Sequence, residues 1–186
     1  GQGLAGAIIM GTGSQSALTL LAARTIARLS ACARGWQSRS ALLDKLTTGG
    51  YNRRFQPVKT GYEWITSDEE IAASYGRDPL RCFRFTVNAY DNMFVSIGEA
   101  QSARRMRGIP KSLPLLLVSG ECDPVGGFGK GVRAAYARYR AAGLQQVRCL
   151  LYPGCRHELL NEVNRETVYA DLLDWMNAHM AAGQKG

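Results

Sequence analysis

Leu115-Leu116-Leu117-Val118-Ser119-Gly120-Glu121-Cys122-Asp123-Pro124-Val125-Gly126 is an apolar run of strand length that ends in a polar turn. Val147-Arg148-Cys149-Leu150-Leu151-Tyr152-Pro153-Gly154-Cys155-Arg156-His157-Glu158 repeats that pattern. Each stretch sets ionisable residues, Asp123 and His157 among them, just beyond the end of its strand. Between them, Lys130 to Ala142 reads as a helix with Gly143 as its stop signal. A last helix is expected from about Val163 to Met180, followed by a frayed tail over 181–186. Strand, helix, strand, helix at this spacing predicts parallel βαβ winding and an α/β fold. Ligands of open parallel sheets bind outside the carboxyl ends of the strands, so Asp123 and His157 should face one crevice.

Upstream, Leu4 to Met10 forms a third apolar run, closed by Gly11-Thr12-Gly13. It suits a buried parallel strand whose end opens on the same crevice. Ser14 or Ser16 can cap a helix running to about Arg34, and Trp36 to Leu46 reads as a second, short helix stopped by Gly49-Gly50. Tyr51 to Thr66 is irregular and rich in aromatics. Ser67-Asp68-Glu69-Glu70 matches a capping box, and Thr86 to about Met106 reads as one longer helix. About a hundred residues therefore separate the first strand from the second, too many for a simple crossover. The expected organisation is a discontinuous core of residues 1–13 and 112–186, with three strands, and a helical lid inserted over 14–111.

The 186 residues carry a formal charge of +8, with small basic clusters at Arg53-Arg54 and Arg104-Arg105-Met106-Arg107. No aromatics interleave with a basic stripe, which argues against nucleic acid. Such a surface would favour transient contact with an anionic membrane surface. No apolar run reaches the roughly 18 residues of a membrane span. Five cysteines without a C-x-x-C pair suit reduced thiols and a cytoplasmic setting. Cys155-Arg156-His157 lacks the spacing of a metal site, and no cofactor or metal is implied. Gly11-Thr12-Gly13-Ser14 after a strand has the look of a dinucleotide loop. The acidic residue expected about 20 positions on is missing from residues 31–40. The chain also starts without Met and enters almost at once into a strand, as an internal portion of a longer protein would.

Taken singly, Asp123 suits a turn-closing residue and His157 a structural histidine. Together they stand in the order acid, then histidine, at the ends of consecutive strands, which is the order of the last two members of α/β-hydrolase triads. The flanks extend that likeness: Pro114 to Gly126, Gly129-Lys130-Gly131-Val132, and Leu151 to Glu162, with Tyr51 to Phe55, Gly61 to Ile65 and Asp68 in the insertion. The chain resembles the C-terminal portion of an α/β-hydrolase, in the branch of lysophospholipases and monoacylglycerol lipases (serine aminopeptidase S33-like).

The resemblance implies Asp123 as triad acid and His157 as triad base. It places Gly11 and Thr12 beside the substrate pocket and Val125 on its wall. The lid aromatics, Phe55 and Trp64 among them, either build the lid's own core or line an apolar slot for an acyl chain. Glu158 is expected to bind backbone or Arg156. No G-x-S-x-G occurs, so the serine and oxyanion hole are expected upstream of Gly1, and this stretch alone is expected to be inactive. The implied activity is hydrolysis of a small lipid or other carboxylic ester, with an amidase or peptidase close by. A non-catalytic remnant or interaction module is the alternative. The oligomeric state is not legible.

Overall fold

A computed structural model describes residues 3–81 and 83–183. Three strands, β1 (Ala7–Met10), β2 (Leu115–Gly120) and β3 (Val147–Tyr152), form one parallel sheet in the order β1-β2-β3. Ala7 pairs with Leu115, and Leu115 with Val147, so the three carboxyl ends lie together at one edge of the sheet. The central strand is buried along its whole length. Alternate side chains of a strand point to opposite faces, and β2 packs accordingly. Leu116 and Val118 meet Val168, Leu172 and Trp175 of the last helix. Leu115 and Leu117 meet Val132 and Ala135 of the helix that joins β2 to β3.

The helices are α1 (Ala17–Arg34), α2 (Ala41–Thr47), α3 (Glu69–Tyr75), α4 (Val87–Ala100), α5 (Ala103–Arg107), α6 (Lys130–Ala141) and α7 (Arg165–Gly183). Five of them, α1 to α5, lie between β1 and β2. A separate core of Leu20, Ala27, Ala31, Leu43, Val87, Tyr90 and Phe94 holds α1, α2 and α4 together. Among the described residues no helix is long and apolar enough to cross a membrane.

Several expected boundaries move, each for a tertiary reason. The helix expected from Trp36 begins only at Ala41. Residues 36–39 are instead tied to the start of α4, through Val87 N–H to Ser38 O and Asn88 N–H to Trp36 O. The long helix expected over 86–106 is two helices. Its break falls at Gln101, whose Oε1 accepts from Gln15 N at 2.9 Å, Ser14 Oγ at 3.2 Å and Arg138 Nη1 at 2.6 Å. At the capping box, Asp68 is the cap, accepting from the amides of Glu70 and Ile71. The Ser67 hydroxyl turns instead to Glu162. Helix α7 continues through Gly183, three residues into the expected tail; 184–186, like Cys82 among the expected free thiols, lie outside the described residues.

The last residue of β2 shows how tightly the histidine loop is laid on the sheet end. A Cβ on Gly120 would stand 2.1 Å from Cys155 O and 2.3 Å from Arg156 O. Both are backbone atoms, which cannot swing aside. Gly120→Ala should therefore cost about 1–3 kcal/mol or more of unfolding free energy, read as a lowered denaturation midpoint. A midpoint equal to wild type would show that the loop is not seated there.

Candidate active site

Asp123 sits in the turn after β2, where Phe128 N–H binds its carbonyl at 2.8 Å. Its side chain is fully buried, and both oxygens are committed. Oδ1 accepts from Val125 N at 2.8 Å. Oδ2 takes Ser119 Oγ at 3.3 Å and His157 Nδ1 at 3.0 Å. These bonds fix the plane of the carboxylate. An ionised carboxylate only accepts hydrogen bonds, so the imidazole proton belongs on Nδ1, and Nε2 of the neutral ring keeps the lone pair. The His157 side chain is 29% exposed beside an acid with no exposure at all. A base open to the crevice is thus held by an acid that is closed off from it.

Two further groups face the imidazole, and a third backs one of them. Gly11, at φ 64°, has no side chain; a Cβ there would come within 3.0 Å of His157 Cε1. The Trp64 ring lies 5.4 Å from the imidazole, inclined at 37°. Tyr51 packs on Trp64 at 4.9 Å. Burial, and secondarily the charge of Asp123, pushes its phenol above the ordinary tyrosine range.

Next to this group is a cavity of about 370 Å³ lined by Thr12, Leu20, Leu43, Met93, Ile97 and Val125, among others. A larger one, about 670 Å³ and bordered by Trp64, shares Thr47, Tyr51 and Met93 with it. The residues singled out from the sequence therefore fall in three places. Gly11 and Trp64 touch or face the imidazole, and Thr12 and Val125 line the apolar cavity. Phe55 stands apart, with the Arg156 guanidinium 4.4 Å above its ring. Glu158 does not meet Arg156: its carboxylate takes Asn161 Nδ2, and its amide donates to Ile65 O at 2.8 Å.

Sequence reasoning quoted the stretches that hold Ser119, Tyr51 and Glu162 but gave none of the three a place in the site. Ser119 alone had a local signal, a hydroxyl four positions before the acid across a turn. Among the described residues no three His, Cys, Asp or Glu side chains cluster as a metal site. The serines near the crevice are engaged otherwise: Ser14 with Gln101 and Arg138, Ser16 as the α1 cap, and Ser119 with Asp123.

The sequence model of the family described as serine aminopeptidase, S33, matches residues 2–164. The chain belongs to that family. A monoacylglycerol lipase of Mycolicibacterium smegmatis is 26% identical over 119 residues, 62% of this chain and 39% of that protein. The crystal structure of a thermostable carboxyl esterase from Bacillus coagulans, in complex with glycerol, superposes with a TM-score of 0.82 at 26% identity. It covers 95% of this chain and 57% of its own. A lipase in an open form, 24% identical with a TM-score of 0.76, shares the fold over all of this chain and 59% of its own. The chain thus spans less than two thirds of the length of each of these proteins.

The loop that carries Trp64 to the imidazole is folded around one carboxylate. Glu63 accepts from Asn52 Nδ2, from the amides of Lys59, Thr60 and Gly61, and from the Thr60 hydroxyl. Partial burial pushes its pKa upward, but the bonds from Thr60 and Lys59 outweigh this and lower it from 4.5 to about 2. A carboxyl with a depressed folded pKa gives stability that is complete above the unfolded value and lost as pH falls through the folded one. The loop should stay ordered above about pH 4.5 and loosen toward pH 2. The Trp64 indole resonance, followed down in pH, reports this. In Glu63→Gln the loop should be loosened at neutral pH already, with no acid transition of its own.

Proposed function

We propose that this chain supplies the acid and base of a carboxylic ester hydrolase acting on small lipid esters of the monoacylglycerol or lysophospholipid kind. The observation that carries the proposal is the 3.0 Å contact of a buried Asp123 with His157; Val125, whose amide binds Asp123, also lines the apolar cavity. The serine would come from residues preceding Gly1, on a strand laid along the outer edge of β1, which has no strand beside it among the described residues. His157 Nε2 takes the proton of the serine hydroxyl as Oγ attacks the ester carbonyl. Asp123 stabilises the imidazolium so formed and keeps its orientation. The same proton passes to the departing alcohol as the C–O bond breaks, leaving an acyl-serine. Water, deprotonated by His157, then attacks that ester, and His157 returns the proton to the serine oxygen as its bond to the acyl carbon breaks and the acid is freed.

The cavity's size falls within the range of small-molecule sites, about 300–1,000 Å³. Its apolar lining suits an acyl chain, with residues 14–111 as the lid above it. Trp64, against the imidazole, borders the approach of the ester, and Thr12 and Val125 flank the acyl chain. A lipid substrate would bring the protein into transient contact with a membrane surface.

Two other readings keep the same residues. An amidase or peptidase is favoured by the family's description, since the triad does not choose the leaving group. A non-catalytic remnant or interaction module is the other, and it predicts that no G-x-S-x-G is encoded upstream of Gly1.

The test is hydrolysis of matched esters and amides by the product of the coding sequence together with the residues encoded upstream of Gly1. Ester cleavage should fall roughly 10³–10⁴-fold in His157→Ala and Asp123→Asn. Ala23 also lines the cavity, and Ala23→Phe, which fills it, should depress turnover of long acyl esters more than short ones. Faster cleavage of the amide would favour the peptidase reading. Full activity in His157→Ala would overturn the assignment.

A further inference from the structure

Glu162 has no exposed surface, and among the described residues no cation lies within ion-pair distance of it. A buried carboxylate is costly unless its oxygens are satisfied. Here they are, by donors from two distant parts of the chain. Oε1 accepts the amide of Arg156 at 2.6 Å, the residue immediately before His157. Oε2 accepts the amide of Ser67 at 3.1 Å and its hydroxyl.

The two segments it joins run side by side, residue against residue. The Arg156 guanidinium donates to the carbonyls of Glu63 and Thr66. His157 faces Trp64, and Glu158 N–H donates to Ile65 O. Thr66 Oγ1 donates to Asn161 O at 2.6 Å, and Arg165 reaches Asp68 at 3.3 Å. Residues 63–68 are thus bound along their length to the loop that bears the histidine.

We propose that Glu162 is a positioning residue: it locks the His157 loop to the 63–68 strap and so holds the imidazole between Asp123 and Trp64. The strap would then stay with the histidine as part of the active-site frame, and any opening of the lid would have to occur elsewhere in the helical insertion. This rests on the acid–base role proposed for Asp123 and His157.

The test uses the gene product together with the residues encoded upstream of Gly1 and the far-downfield proton NMR signal of a histidine Nδ1–H bound to a carboxylate. That signal should vanish in His157→Ala and in Asp123→Asn. In Glu162→Gln it should remain visible but exchange with solvent about tenfold faster or more, the scale of a lost charge-assisted hydrogen bond. Methyl signals of Leu116 and Val118 should be unmoved. Ser67→Ala keeps the carboxylate and its bond to Arg156, and should accelerate the same exchange about threefold. It decides the matter if Glu162→Gln does not fold. Folded variants that exchange at the wild-type rate would overturn the proposal. Were the signal to survive in Asp123→Asn, the acid–base reading would fall instead. The clamp would then be judged on the proximity signal between the His157 ring and the Trp64 indole, which must weaken in Glu162→Gln.

Discussion

The parallel pairing of β2 with a strand on each side governs everything at the crevice. Because β2 is buried on both faces and bonded at both edges, its carboxyl end is a fixed point. Asp123 leaves from that point within three residues of the strand. His157 arrives from the end of β3, five residues beyond its last paired residue. Gly11 arrives from β1, one residue beyond. Three chain segments far apart in sequence converge because one strand holds the register of the other two.

The electrostatics follow from that placement. Asp123 is excluded from solvent and takes three hydrogen-bond donors, one of them the imidazole. Without those donors its charge would be expensive to bury. The satisfied carboxylate, in turn, fixes the ring tautomer and leaves a single lone pair on the more exposed partner. The same economy recurs one loop away, where Glu162 is buried on the strength of donors from Arg156 and Ser67. The frame is built from two buried carboxylates, each holding one side of the histidine loop.

How much of this was legible in the sequence depended on whether the deciding partner was near in the chain. β2 and β3 were readable because an apolar run closed by Gly or Pro is a local signal, and the order of Asp123 and His157 followed from it. The break at Gln101 was not, since it is set by Arg138 and Ser14, 37 and 87 positions away. Asp68 rather than Ser67 caps α3 because the Ser67 hydroxyl is claimed by Glu162, 95 positions on. Aromatic composition flagged the insertion as a place for rings, yet could not tell that Trp64 would face the imidazole and Phe55 would lie under Arg156. Side-chain direction in an irregular segment is decided by such distant partners.

The central claim is that Asp123 and His157 serve a nucleophilic serine carried outside these 186 residues. Covalent labelling of the upstream-extended gene product with a fluorophosphonate, followed by peptide mapping, tests it most directly. The account predicts one labelled serine, N-terminal to Gly1 in a G-x-S-x-G turn, with labelling strongly slowed in His157→Ala. Labelling of a serine within residues 1–186, no labelling of the active protein, or an undiminished rate in His157→Ala would contradict it.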